Sequence, residues 1–305
     1  MGPVSYQGDG PDVVSDEDTR HRDHAAAWSR ALLAGLVAAV GIAAGIILGG
    51  ALTSAVGLTG LPADLVSVVL VSALVLGLVH LARGRRTWHD LGLTGNRSTL
   101  VGVGTGFAAV AACAAVVLGP ATAAGLVTWG PLDPGRVVVF LAVNTVLALL
   151  LEAFPEELAL RGLAWTALRE RYGPHLTAAA TTAVFLVTAV LASVLITLPQ
   201  ALAGGQVRLS PVGEDPVAYL VLVTVLGLAL GYARGATRVL TLGTAVGVHL
   251  GYLTVVRLTF AGAERDAGWS MTPATEGAVL VIPGFLVLAA VLLAALGARA
   301  RRRRP

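Results

Sequence analysis

Long apolar blocks, separated by short polar stretches, occupy almost the whole chain. Eight stand out, at residues 31–52, 65–82, 100–124, 137–154, 176–198, 217–232, 239–256 and 278–296. Each approaches the roughly 20 residues a helix needs to cross a bilayer core. The pattern predicts an all-α polytopic membrane protein of about eight transmembrane helices, filling residues 28–298. The polar stretch before it, residues 1–27, carries four aspartates and a glutamate ahead of Thr19 and reads as a disordered tail. It has no short apolar core with a cleavage site, so a signal peptide is not expected. Residues 299–305 form a basic tail.

Composition sharpens this picture. The chain of 305 residues is 56% hydrophobic and only 13% charged. Soluble domains carry about a quarter charged residues, so a soluble globular protein is excluded. The single cysteine, Cys113, permits no intrachain disulfide. All 21 basic residues are arginine. With the N-terminus inside, eight spans leave only Arg136, Arg208, Arg257 and Arg265 in outer loops and place the other seventeen inside. This split follows the positive-inside rule and predicts both termini in the cytoplasm, with the protein in the cell membrane. The terminal arginines then contact anionic lipid rather than nucleic acid. "GVGTGF" at 102–107 lacks the strand and spacing of a phosphate-binding loop. Gly41, Gly45 and Gly49 in the first block, and Gly243, Gly247 and Gly251 in the seventh, are spaced for close helix approach.

One stretch breaks the apolar pattern. "LLEAFPEELALRGLAW" at 150–165 sets Glu152, Glu156, Glu157 and Arg161 among leucines and alanines. Ionisable groups inside a span cost several kcal/mol and face a cavity or a partner. Glu157 and Arg161 are four apart, so they meet on one helix face. Glu156 lies about 100° around the helix and is left free to act on something else. Glu152 sits a turn before Glu156, Asn144 two turns further back, and Pro155 loosens the helix between them. His249 lies in the middle of another apolar block, away from its glycine row.

Glu156, Glu157 and Arg161, with Gly162 following, resemble the first motif of the CAAX-processing and bacteriocin-processing endopeptidases (the CPBP family), eight-helix intramembrane proteases of the type II CAAX prenyl endopeptidase class. "WHDLGLTG", "RERYGPHLTAAATTAVF" and "TLGTAVGVHLGYL" extend the resemblance over about Trp88 to Arg257. It implies that Glu156 activates a water for attack on a peptide bond, that Glu157 and Arg161 support the helix, and that His249 assists. Two positions depart from the family pattern. Ala189 stands where the second motif carries histidine, and Leu253 where the third carries asparagine. Glu152 and Tyr252 are the residues able to compensate. The cofactor stays open: a divalent metal such as zinc is the candidate the resemblance raises, and these residues do not favour it.

The function expected first is therefore an intramembrane endopeptidase homologue of very low turnover, acting on a membrane-embedded peptide or protein. The alternative is a catalytically impaired, protease-like scaffold that binds a membrane partner. A transporter or proton relay built on Glu152 and Glu156 ranks third, because no inverted repeat is visible. Membrane lipids are expected partners and nucleic acids are not.

Overall fold

A computed structural model describes residues 16–211, 215–235 and 242–302. The chain is an all-α polytopic membrane protein. Among the described residues, seven helices are long and apolar enough to cross a bilayer. They are α1 (Asp16–Ala55), α2 (Leu61–Ala82), α3 (Arg97–Ala123), a continuous span over Pro134–Arg169, α7 (Pro174–Leu202), α8 (Pro216–Gly235) and α10 (Val281–Arg302). The span Pro134–Arg169 consists of α4 (Pro134–Ala148), α5 (Phe154–Glu157) and α6 (Trp165–Arg169), joined by two π-helical segments.

The remaining expected span, the seventh block at 239–256, contains helix α9 (Leu242–Thr259), which is not among the seven. His249 and Arg257 lower its hydropathy. It tolerates them because protein, not lipid, surrounds it: most of its residues, from Leu242 to Leu253, are buried. Glycines bring its neighbour close. A Cβ added to Gly247 would lie 2.1 Å from the Val103 carbonyl oxygen of α3, and one on Gly106 2.2 Å from that of Thr244. Gly251 abuts Phe107 and Val110. The α1–α2 contact is built the same way, with Gly41, Gly45 and Gly49 against Val75, Val71 and Ser67.

The polar stretch expected as a tail over 1–27 is helical from Asp16 onward. Its later part is held by the turn between α6 and α7. Asp23 pairs with Arg171 at 2.7 Å, and the Trp28 indole donates to the Tyr172 hydroxyl at 3.0 Å. Residues 1–15, Arg238 and residues 303–305 of the basic tail lie outside the described residues. At the other end of the bundle, β1 (Val127–Trp129) and β2 (Met271–Pro273) form an antiparallel ribbon pairing Thr128 with Thr272. Stacked Trp129 and Trp269, with centroids 4.2 Å apart, extend this tie between the α3–α4 and α9–α10 connections.

Gly247→Ala is expected to destabilise the protein by about 1–3 kcal/mol, the usual cost of overpacking. The neighbour it meets is backbone, which yields little. Gly104→Ala, where an added Cβ meets nothing within 4 Å, should leave stability unchanged or slightly raised. Thermal unfolding in detergent checks the contrast; equal behaviour of the two variants would show that α3 and α9 are not in backbone contact.

Candidate active site

The site begins with a proline that cannot donate. Pro155 lies inside the span and lacks an N–H. The helix widens just before it: over Leu149–Ala153 the turns are π-helical, and the Phe154 N–H reaches back five residues to Leu149 O. In that register the carbonyl of Leu150 faces Pro155 and finds no donor. The Ser72 hydroxyl of α2 donates to it instead. A second π-helical segment, Leu158–Ala164, follows at once. There Arg234 Nε of α8 donates to Arg161 O at 2.9 Å, and Thr166 Oγ1 to Gly162 O at 2.7 Å. The two carboxylates at 156 and 157 therefore sit on a single α-helical turn between two widened ones.

Glu157 and Arg161 are completely buried, and His249 is 3% exposed. Glu157 Oε1 accepts from Arg161 Nη1 at 3.3 Å and from His249 Nδ1 at 3.1 Å. Arg161 Nη2 donates to Gly227 O of α8 at 3.2 Å, and its guanidinium lies 4.6 Å from the ring centre of Phe185 on α7. One carboxylate thus draws together α5, the second π-helical segment and α9, and Arg161 extends the group to α7 and α8. The bond also sets the histidine's tautomer. A carboxylate paired with a guanidinium only accepts, so Nδ1 carries a proton, and in the neutral form of His249 the lone pair lies on Nε2.

Glu156 differs from its neighbour. It is half-buried and makes no hydrogen bond or ion pair among the described residues. His249, Glu152, Glu157 and Arg161 are the ionisable groups within electrostatic reach of it. Glu152 is bonded elsewhere: it pairs with Arg257 in the last turn of α9, whose guanidinium also reaches Asn144 Oδ1 at 3.5 Å. Asn144 Nδ2 in turn donates to Thr254 at 3.4 Å. Arg257, expected in an outer loop, is thus a helical residue with a side chain only 15% exposed. Tyr252 is half-buried against the core on α9. Ala189 and Leu253 are both buried, at 9% and 7% exposure.

These residues do not fit a metal. Among the described residues no three His, Cys, Asp or Glu side chains converge. Glu157 Oε1, the carboxylate oxygen bonded to His249, already faces the Arg161 guanidinium, whose positive charge opposes a second cation there.

Two groups escaped the sequence reading. The Glu157–His249 bond was hidden because helix numbering does not show which helix faces which. The Glu152–Arg257 pair had a signal: an acid and a base, each near the end of an apolar block.

Arg161→Ala strands a buried carboxylate and should cost about 3–5 kcal/mol. The double variant Glu157→Leu with Arg161→Met removes both charges and should recover most of that loss. Unfolding midpoints in detergent measure both. A stable Arg161→Ala protein would mean that Glu157 does not depend on the guanidinium.

Residues 138–255 match the profile of the type II CAAX prenyl endopeptidase Rce1-like family. The matched stretch runs from early in α4 through most of α9. It includes Glu152, Glu156, Glu157, Arg161 and His249, together with Ala189 and Leu253. No curated protein and no solved structure gives a match. The buried Glu157–Arg161–His249 group falls within the stretch, residues 138–255, over which the chain is similar to the type II CAAX prenyl endopeptidase Rce1-like family.

Proposed function

We propose that the protein is an intramembrane endopeptidase homologue in which Glu156 activates the attacking water, with turnover well below that of a site holding its full set of polar groups. One observation carries this reading. Glu157, Arg161 and His249 are committed to one another, whereas the adjacent Glu156 is half-buried and unbonded among the described residues. A carboxylate close to other polar groups yet free of partners is suited to general-base work.

In the proposed reaction, Glu156 takes a proton from water as the water oxygen attacks the peptide carbonyl. It then returns that proton to the departing amine as the C–N bond breaks. Glu157 holds His249 so that Nε2 is the ring nitrogen available to the reacting groups. The substrate is a peptide segment lying within or against the membrane. The start of α1 and the end of α10 both lie beside the α6–α7 turn. The arginine distribution supports placing that end in the cytoplasm and the protein in the cell membrane.

A second reading, a partner-binding scaffold without turnover, is favoured by Ala189 and Leu253. Both are buried and apolar, where the family resemblance calls for histidine and asparagine. Removing one oxyanion donor costs about 100- to 1,000-fold in rate.

Cleavage of membrane-reconstituted peptides separates the readings. The natural chain should cleave slowly, and Glu156→Gln should lower the rate about 100-fold or more. Ala189→His combined with Leu253→Asn should raise it. If the natural chain and Glu156→Gln are indistinguishable from background while the double variant cleaves, the scaffold reading replaces the enzyme.

A further inference from the structure

We infer that the cytoplasmic ends of α8 and α10, with the α6–α7 turn, form a binding site for an anionic glycerophospholipid. The inference is independent of the catalytic reading. A cavity of about 240 Å³ opens here, and Glu156 is not among the residues that line it. Gly231, Gly235, Ala294 and Ala298 leave the space, because none of them projects a long side chain. Trp165, His175 and Tyr232 supply the rest of the wall, together with Pro174. The volume is below the roughly 300–1,000 Å³ of pockets that enclose a drug-sized ligand. It suits a headgroup and its glycerol, with acyl chains left in the bilayer.

The wall has the chemistry of a membrane interface. Tryptophan and tyrosine are amphipathic rings that settle at headgroup depth. Trp165 and Tyr232 lie near the ends of spans that finish at Arg169 and Gly235. The His175 and Tyr232 rings are 5.9 Å apart, and His175 is exposed. Among the described residues, no acidic side chain lines the cavity.

Positive charge continues from it. Ala294, Ala298 and Arg302 are spaced four apart on α10, so Arg302 lies one turn beyond the cavity wall on the same face. Arg299 and Arg302 are exposed and make no ion pair among the described residues. A run of arginines beside a span attracts anionic lipid, and here the run adjoins a recess that a single headgroup can enter. The geometry therefore joins an apolar, aromatic recess to unpaired guanidinium groups. A phosphodiester on a diacylglycerol satisfies both parts at once.

Delipidated protein titrated with phosphatidylglycerol in detergent, and read by thermal shift and by lipid adducts in native mass spectrometry, tests this. Phosphatidylglycerol should raise the midpoint and remain bound, and phosphatidylcholine of the same chain length should do neither. Arg302→Gln should weaken binding about fivefold, since a juxtamembrane arginine contributes on the order of 1 kcal/mol. Ala298→Leu should fill the recess and abolish the retained adduct. Arg208→Gln changes the same charge beyond the far end of α7 and should have no effect. Glycerol 3-phosphate at matched concentration should not substitute for the lipid. The inference is overturned by an equal response to phosphatidylcholine, by wild-type binding in both Arg302→Gln and Ala298→Leu, by an equal loss in Arg208→Gln, or by full replacement with glycerol 3-phosphate.

Discussion

A single buried carboxylate constrains this bundle. Glu157 has no exposed surface, and an ionised group there is tolerated only with partners. Arg161 provides the countercharge, but the guanidinium is equally buried and needs contacts of its own. It finds the Gly227 carbonyl and the face of Phe185. The missing side chain of Gly227 lets α8 lie close against α7, which carries Phe185: an added Cβ would lie 2.8 Å from Thr182 and 3.2 Å from Phe185. Satisfying one charge thus fixes how α7, α8 and α9 meet the α4–α6 span. The satisfaction is incomplete, since Glu157 Oε2 and Arg161 Nε have no bonding partner among the described residues.

The backbone obeys a parallel rule. Widened helical turns expose carbonyls, and in a bilayer such groups must be satisfied by protein. Ser72, Arg234 and Thr166 do this on either side of the glutamate pair. Arg234 also reaches the Leu91 carbonyl at 3.5 Å, which ties the α2–α3 loop to the same segment. Pro155 is therefore more than a break in a helix. It forces a register change, the change creates unpaired carbonyls, and neighbouring helices supply the donors. π-helical turns recur at functional sites because the added residue re-aims the side chains beside them.

Much of this was readable from the chain. Seven of the eight apolar blocks correspond to helices long and apolar enough to cross a bilayer among the described residues, the block at 239–256 contains the largely buried helix α9, and the glycine rows at 41–49 and 247–251 mark the α1–α2 and α3–α9 contacts. The Glu157–Arg161 pair followed from a four-residue spacing within one helix. What was not readable depends on tertiary placement. The outline of apolar blocks does not show that α9 is mostly covered by protein. Charge counting put Arg257 in a loop, though its partner Glu152 lies on another helix. The contacts that hold the early part of α1, Asp23 with Arg171 and Trp28 with Tyr172, come from residues over a hundred positions away.

Ala189 and Leu253 give the site its particular balance. Each replaces a polar group expected from the family resemblance with a buried apolar one, and a buried polar group is favourable only when fully bonded. Their absence removes two demands for hydrogen bonds from a region that already leaves two buried polar atoms without partners. The same change takes away groups that would hold water or a developing oxyanion. His249 remains, and its Nδ1 is bonded to Glu157. Relative to the family resemblance, α7 and α9 therefore offer packing where polar groups were expected, while Glu156, Glu157 and Arg161 all stand where it expects them. Stability and reactivity commonly trade in this direction. Burying part of a carboxylate without a bonding partner is costly, and Glu156 carries that cost beside a cluster whose other charges are paired.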